Sequence, residues 1–435
     1  MIRNATILFL LLVEVVFAQN SSAKILTLEE AVQTARIHQP QLLQAQANAE
    51  AAQARVNEAK APLLPQVNGS ADYSRSTANF ANRPGSIPGR NPGGSSSFDT
   101  FNFFNFGVSA NQLIYDFGQA GSRYRASKAS AHSQMDIEKA TMQQIILDVR
   151  TNYFQARAAK ALVTIAQETL DNQNKHLEQI QGFVEVGTRP EIDLASAKTN
   201  VANAQVQLIN AQNAYAVGKV QLNQSMGIEG PTDYDVEDES FAPVPGEDDS
   251  SGVLANEALG ARPELAAMEE DLRAQELTIQ SIRGEYYPSI DFNTDFTDAG
   301  QEVGNLAWNW SAALSLSIPV FQGGLTKARV VESQAQLKSL QAQATSLRQQ
   351  ILVELEQARL AVIAAKAAVD ASAEAETSAR EQLDLAEGRY QTGFGNIIEL
   401  SDAQLAETNA AQQKVAADYR LSQARAGLLK ALGRE

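Results

Sequence analysis

Cysteine is absent from the 435-residue sequence. Its absence excludes disulfide bonds, thiolate metal ligands, a cysteine nucleophile and a lipid-anchored N-terminal cysteine, so packing and assembly must stabilise the fold. Histidine is scarce as well. His38, His132 and His176 are far apart in the chain and form neither an HExxH motif nor a pair four residues apart. The sequence therefore favours helix-surface histidines over a metal site.

Motifs of catalysis and nucleotide binding are missing too. The run Gly393-Phe394-Gly395 lacks the third glycine and the preceding strand of a dinucleotide fingerprint, and the sequence has no GxxxxGK[ST] loop and no GxSxG elbow. Neighbouring carboxylates such as Glu269 and Glu270 are common in acidic helices and give no reason to infer acid–base catalysis. The sequence predicts neither an enzyme nor a bound cofactor.

Basic residues are outnumbered by acidic ones, with 35 Lys and Arg against 51 Asp and Glu and a net charge of −16. No basic block occurs. Nucleic acids and anionic lipid surfaces favour clustered Lys and Arg, so the charge argues against both as partners.

Long apolar runs are confined to the start of the chain. Met1–Ala18 contains Arg3, then a mostly apolar run, then Val16 and Ala18 at the positions where a signal peptidase requires small or apolar residues. This pattern predicts a cleaved secretory signal peptide at residues 1–18, although Glu14 within the run is atypical. No later stretch of about 18 apolar residues occurs, so the sequence predicts no transmembrane helix.

The mature chain is a duplication. Pro40 and Pro65 recur as Pro263 and Pro288, 223 residues later in both cases (263 − 40 and 288 − 65). Further along, the offset is 206, as in the pairs Tyr115 and Phe321, Gly187 and Gly393, and Gly227 and Gly433 (321 − 115, 393 − 187 and 433 − 227). The difference of 17 residues (223 − 206) coincides with a Gly-, Ser-, Pro- and Asn-rich run at residues 75–100, which indicates a loop insertion in the first copy.

The duplication divides the chain into structural repeat 1 at residues 19–227, an acidic, proline-rich linker at 228–250, and structural repeat 2 at 251–435. The segment from Ile228 to Gly252 carries nine acidic residues and no Lys or Arg. The spacing of an EF-hand calcium loop is absent, so we expect a solvated linker.

Each repeat contains a predicted β-hairpin, at residues 66–116 and 289–320. Apolar and polar residues alternate along four segments, as in Phe104, Phe106 and Val108 against Asn105 and Gly107. Alternation of this kind predicts strands with one apolar and one small or polar face. It fits a membrane barrel around a wet interior, and it fits equally a soluble sandwich or barrel with its polar face outward.

Very long helices follow the hairpins. The two longest predicted segments, residues 118–184 and 324–390, are rich in Ala, Gln, Glu and Leu and would each extend on the order of 100 Å at about 1.5 Å per residue. Such helices must pack side by side, and Ala permits close approach of their backbones. A free coiled coil is the alternative, and it predicts no strands.

Four strands cannot close into a barrel alone. In a membrane, the unpaired backbone groups at both sheet edges would each cost several kcal/mol, so strands in lipid require an oligomer. Two copies would supply eight strands, whose interior side chains fill, whereas three copies would supply twelve and leave an aqueous lumen. Small inward residues such as Ser109, Ser315 and Ser317 favour the trimer.

The duplicated layout, the strand-to-helix junctions Tyr115-Asp116-Phe117-Gly118 and Phe321-Gln322-Gly323-Gly324, and the glycine turns at residues 186–190 and 392–396 resemble the TolC family of outer-membrane efflux and export channels. The resemblance covers essentially the whole mature chain. It implies an α+β membrane protein in which a trimer forms a 12-stranded β-barrel, continued by a long α-helical barrel in the periplasm. It also implies a periplasmic adaptor and an inner-membrane pump as partners.

The resemblance further implies a gate at the helix tips. Aligned on Gly393, the family's acidic ring positions hold Glu399 and Asp402, and its Asp–Arg–Tyr lock positions hold Asp193 and Tyr390. The lock's arginine position holds Gly395, and Arg189 in the facing turn is a candidate replacement. Six carboxylates in a threefold ring would attract cations; an ordinary solvated helix face is the alternative.

Adaptor docking is assigned to the glycine turns, at Val186, Gly187, Thr188, Gly393 and Phe394. Ordinary helix-hairpin turn chemistry explains the glycines equally well, and the two interpretations are compatible. The predicted function is a passive outer-membrane exit duct of a tripartite efflux pump or a type I secretion system, for small molecules or proteins. A periplasmic coiled-coil adaptor or structural interaction protein is the alternative function.

Overall fold

The computed structural model describes residues 24–77 and 98–434. The predicted signal peptide at residues 1–18, and most of the predicted loop insertion, lie outside these residues. In the described part, the helices are α1 (Leu28–His38), α2 (Pro40–Lys60), α3 (Gln119–Glu185), α4 (Glu191–Met226), α5 (Ser251–Ala261), α6 (Pro263–Gly284), α7 (Leu325–Gln391) and α8 (Ile397–Ala431). The strands are β1 (Lys24–Leu26), β2 (Gln66–Thr77), β3 (Thr100–Tyr115), β4 (Tyr234–Val236), β5 (Ser289–Glu302) and β6 (Asn305–Ser317).

The predicted order of helices and hairpins is confirmed, and α3 and α7 each comprise 67 residues. No helix among residues 24–77 and 98–434 is both long enough and apolar enough to cross a membrane. Two short strands, β1 and β4, and a 3-10 helix at Ala61–Leu63 were not predicted, because three-residue elements carry no periodicity.

The described chain forms two compact units. The sheet unit comprises the described residues within Pro40–Ile145, Pro243–Val362 and Gly427–Glu435, and the tip unit comprises those within Met1–Gln39, Ile146–Ala242 and Ile363–Ala426. Each unit draws on both sequence repeats, because α3, α7 and α8 contribute residues to both.

The sheet unit contains a four-stranded antiparallel sheet in the order β2-β3-β5-β6. Its register aligns the predicted faces across strands, since Val108 lies opposite Phe296, which lies opposite Trp310. On the other face, Ser109 lies opposite Asp295. The sheet therefore has a mainly apolar face and a mainly polar face, as the alternation predicted, with Asp298 and Gln112 as polar exceptions on the apolar face.

No described residue of the chain covers the apolar face of this sheet. Large side chains project from β6 with high exposure, including Trp308 at 72%, Leu314 at 70% and Leu316 at 61%. In the described residues, β2 and β6 each pair with one neighbour only. An apolar surface and two open edges on one sheet require partners outside the chain.

Helices of the sheet unit pack closely beside the hairpins. Phe117 stacks on Tyr287 with ring centroids 5.0 Å apart, and a Cβ at Gly284 would lie 2.9 Å from the Cβ of Gln119. Deeper in the unit, the Arg262 side chain is 1% exposed and pairs with Glu264 and Glu354. Charge buried in this way is stabilising only while all partners remain.

The tip unit has its own core at the start of its α3 segment. Tyr153 and Phe154 are fully buried, and the Tyr153 hydroxyl donates to the carbonyl oxygen of Leu26 in β1 at 3.1 Å. Phe154 meets Phe241 edge-on at 5.5 Å. These contacts fasten β1 and the acidic segment to the long helix.

The acidic segment was expected to be solvated, and for part of it this expectation is wrong. Tyr234–Val236 forms β4, which pairs in parallel with β1. Although burial opposes ionisation, hydrogen bonds from Lys160 and Tyr215 hold the pKa of Asp235 below its usual value. Specific partners for such acids lie far away in sequence, so composition could not reveal them.

One detail of the duplication is repeated in three dimensions. Gly227 ends α4 in the left-handed conformation with φ 71°, and a Cβ there would lie 2.5 Å from the carbonyl oxygen of His38 at the end of α1. Gly433 has φ 75°, and its Cβ would lie 2.8 Å from the carbonyl oxygen of Ala261 at the end of α5. Both repeats use a glycine where two helix ends approach too closely for a side chain.

Candidate functional site at the helix turns

Two turns of the tip unit contain the predicted functional residues. The turn between α3 and α4 has Gly187 at φ 78°, and the turn between α7 and α8 has Gly393 at φ 83°. Asn396 then begins α8, because its side-chain oxygen accepts from the backbone N–H of Glu399 at 2.7 Å. The prediction that glycine ends the outgoing helix at both turns is confirmed.

A hydrophobic cluster, here called the tip cluster, holds the two helix pairs together just before the turns. Its buried members are Ile180, Ala197, Ala386, Tyr390, Leu400 and Ala403, from α3, α4, α7 and α8. All four helices contribute, so movement of one pair away from the other would expose this cluster to water.

Tyr390 is the largest side chain of the tip cluster and is 2% exposed. The Arg189 guanidinium lies over its ring, 4.6 Å from the centroid. Burial raises the pKa of the Tyr390 hydroxyl; Arg189 acts in the opposite direction and Asp193 in the same direction. In the described residues the buried hydroxyl has no hydrogen-bond partner. The structure thus brings Asp193, Tyr390 and Arg189 together.

Gly395 occupies the position where the resemblance implies an arginine. Its N–H donates to the carbonyl oxygen of Arg389 at 2.8 Å, and a Cβ at Gly395 would lie 3.0 Å from the backbone nitrogen of Tyr390. Arg189 donates from Nη2 to the Gly395 carbonyl oxygen at 3.4 Å. Arg189 therefore connects the two turns of one chain through a backbone acceptor and an aromatic ring.

Glu399 and Asp402 both lie in the first turns of α8 but differ in their surroundings. The Glu399 carboxylate lies 3.1 Å from the Arg389 guanidinium of α7, whereas Asp402 is exposed. Sequence reasoning missed Arg389, because its contact with Glu399 depends on how α7 and α8 pack. Within one chain, the Glu399 carboxylate is thus paired with a guanidinium, whereas the Asp402 carboxylate faces solvent.

The predicted docking residues form an exposed surface at the turns. Val186 is 72% exposed and Phe394 is 84% exposed, and Gly187, Thr188 and Gly393 are exposed as well. The structure adds Ile192 at 71% and Ile398 at 67% exposure, in the first turns of α4 and α8. Both were visible in the sequence as apolar residues directly after the glycine turns, but they were not selected.

Comparison with known proteins places this geometry in a family. The profile of the outer membrane efflux protein family matches residues 31–228 and 254–434. The pyoverdine export outer membrane protein OpmQ of Pseudomonas putida is 27% identical over 419 residues, covering 93% of this chain and 85% of the relative. The outer membrane protein TolC of Escherichia coli is 25% identical, covering 90% of this chain and 79% of the relative.

Solved structures show the same fold. The CmeC outer membrane channel of Campylobacter jejuni superimposes with a TM-score of 0.81 at 19% identity, covering 93% of this chain and 85% of that chain. The outer membrane protein VceC of Vibrio cholerae gives a TM-score of 0.80 at 17% identity, covering 94% of this chain and 96% of that chain.

The chain belongs to the outer membrane efflux protein family. The resemblance to TolC-family channels, the α+β fold class and the outer-membrane location predicted from the sequence are thereby confirmed. The comparisons support the efflux channel and not the alternative of a periplasmic adaptor or interaction protein.

Proposed function

We propose that the chain is one protomer of a trimeric, passive exit duct in the outer membrane. The observation that carries this proposal is the sheet with an exposed apolar face and two open edges, in a chain of the efflux family. Three such sheets, joined edge to edge, would complete a barrel and remove every unpaired edge. The polar face with Ser109 and Asp295 would then line the passage.

The duct would obtain its energy and its substrates from partners. The helical part would lie in the periplasm, and the exposed turn residues Val186 and Phe394 would meet a periplasmic adaptor coupled to an inner-membrane pump. Relatives named as pyoverdine export and efflux pump outer membrane proteins support assembly of this kind. No catalytic role is proposed for the chain.

The gate would be the turn region itself. Arg189 over Tyr390 would hold the two turns of each protomer together, with Asp193 buried beside them. Glu399 and Asp402 would face the axis of the trimer, where the solvated Asp402 carboxylates would contribute most of the uncompensated charge. Closely spaced like charges attract counter-ions, so the closed duct would favour cations over anions.

Membrane fractionation tests the central proposal. The mature protein should partition with outer membranes and migrate on gels as a heat-sensitive trimer, and deletion of its gene should abolish export by the cognate pump. A monomer that remains soluble without detergent would refute the duct.

The acidic residues are tested by single-channel recording. The double variant Glu399→Ala and Asp402→Ala should be blocked less by divalent cations than the native channel, because the charge that attracts them is gone, and should therefore conduct more in their presence. Unchanged conductance and block would remove both residues from the gate while leaving the duct intact.

Docking is tested at exposed positions that do not stabilise the fold. Val186→Glu or Phe394→Glu should abolish export, with trimer and membrane insertion unchanged, because an ionised group would be buried against the adaptor. Gln391→Glu introduces the same charge at a neighbouring exposed position and is the matched control. Full export by the first two variants would contradict docking at these turns.

A further inference from the structure

A polar cavity interrupts the helix packing of the tip unit. It has a volume of about 220 Å³ and lies between α3, α7 and α8. Its lining includes Glu168 and His176 from α3, Glu376 and Arg380 from α7, and Glu407 from α8. At roughly 30 Å³ per molecule in the liquid, such a space accommodates several waters.

The contacts across this cavity are polar. The hydroxyl oxygens of Thr169 and Thr408 lie 3.4 Å apart, and Gln173 donates to the side-chain oxygen of Gln404 at 2.9 Å. His176 Nε2 lies 3.4 Å from a carboxylate oxygen of Glu387, while its Nδ1 is buried and has no partner in the described residues. Each of these contacts joins α3 to α7 or α8. Hydrogen bonds that water can replace contribute little net stability, so this interface is weaker than the apolar tip cluster.

Glu407 is an incompletely compensated acid of the cavity. Burial raises the pKa of its carboxyl, Arg380 opposes the rise, and the nearby carboxylates of Glu168 and Glu376 add to it. The cavity bases Arg380 and Lys414 already pair with Glu376, at 3.3 and 2.6 Å. His176 pairs with Glu387, and Asp418 adds a further acid to the lining. Ionised Glu407 therefore faces more negative than positive charge.

We propose that this cavity is a proton-responsive weak point, at which ionisation of Glu407 loosens the packing of α7 and α8 on α3 and protonation tightens it. The packed arrangement, in which Glu407 is partly buried beside other acids, binds a proton more strongly than a separated arrangement in which Glu407 is fully hydrated. Packing is therefore most stable below the ordinary glutamate pKa of about 4.3, and it weakens as the pH rises through the elevated value. The weak point would let α7 and α8 shift against α3 while the tip cluster is still closed.

Distance measurement between spin labels tests the proposal directly. The chain has no cysteine, so Asn174→Cys on α3 and Asn409→Cys on α8, both exposed, provide the only two labelling sites. Labelled protomers are diluted with unlabelled protein, so that distances within one chain dominate. Glu407→Gln keeps the shape of the side chain but cannot ionise, and Glu381→Gln, at an exposed position of α7, is the matched control.

The distance in the native chain should be longer at about pH 7.5 than at about pH 5 by roughly 2 Å, the scale of helix shifts in switching proteins. Glu407→Gln should keep the short distance at both pH values, and Glu381→Gln should behave like the native chain. A native distance that does not change with pH, or a Glu407→Gln variant that still responds, would overturn the proposal. The measurement needs no export activity, so its outcome is separate from that of the duct.

Discussion

The Tyr390 hydroxyl provides a sharp test of how the turns are held together. A lock of the kind implied by the resemblance would use this hydroxyl as a hydrogen-bonding group. In the structure the hydroxyl is buried without a partner in the described residues, while the ring packs in the tip cluster beneath Arg189. We therefore expect the ring to matter and the hydroxyl to be dispensable, which Tyr390→Phe and Tyr390→Ala distinguish.

The two variants should change the stability of the closed turns in opposite directions. Tyr390→Phe removes a buried unsatisfied group whose burial costs about 1–3 kcal/mol and keeps the ring beneath the guanidinium, so the closed turns should gain about 1 kcal/mol. Tyr390→Ala should lose about 3–5 kcal/mol from the cavity that it creates. Loss of the cation–π contact with Arg189 should add about 0.5–2 kcal/mol. A change of about 1 kcal/mol corresponds to roughly fivefold in an equilibrium, which a recording of gating resolves.

Single-channel recording in planar bilayers measures this equilibrium as open probability. Tyr390→Phe should open less often than the native channel by about fivefold, and Tyr390→Ala should be largely open. Arg189→Gln should lie between the native channel and the alanine variant, since it loses the ring contact and keeps the cluster. If Tyr390→Phe opened as readily as Tyr390→Ala, a hydrogen bond from the hydroxyl would hold the gate, and the reasoning from packing would be wrong.

Three further substitutions, two of them with a matched control variant, have expected outcomes. Gly227→Ala should lower the stability of the trimer by more than about 2 kcal/mol, because it strains a left-handed backbone and clashes with the end of α1. The control Gly427→Ala lies within α8 with no atom close to the added Cβ, so it should be neutral or stabilising by up to about 1 kcal/mol. Heat-induced loss of the trimer measures both. Arg262→Ala should cost about 1–3 kcal/mol in the same assay, because it removes a buried side chain that donates hydrogen bonds to two partly exposed carboxylates, whereas Arg359→Ala, which breaks a solvated ion pair, should change stability little. Arg389→Gln should raise the cation preference of the channel by about tenfold or more, measured as reversal potential in a salt gradient, and an unchanged potential would show that the carboxylate it faces is not at the constriction.

Much of the architecture was predictable because the spacing of apolar residues along the sequence indicates helices and strands. Alternation along β3 and β5 gave the faces of the sheet, and the run of helix-forming residues from Leu325 to Gln391 has no internal proline or β-hairpin signal to interrupt it. The offset between Gly187 and Gly393 located both turns. In each case neighbours in sequence determine the local structure.

The contacts that define the site were less predictable. Arg389 meets Glu399 only because α7 and α8 pack with a particular rotation, and β4 exists only because β1 lies beside it, more than 200 residues away in sequence. Glu407 reads as an ordinary acid of a charged helix until α3 and α7 enclose it. Such relations depend on tertiary packing, which composition and spacing do not encode.

The uncovered sheet has a consequence for biogenesis. A protomer released into the periplasm would carry exposed Trp308, Trp310 and Leu314 beside two strands that accept any complementary backbone. Such a species is prone to aggregate, and its lifetime must be short or protected by a chaperone. Membrane insertion and subunit association should therefore be coupled steps whose rate depends on protomer concentration. Protomers that are too damaged to associate should be degraded and should not accumulate.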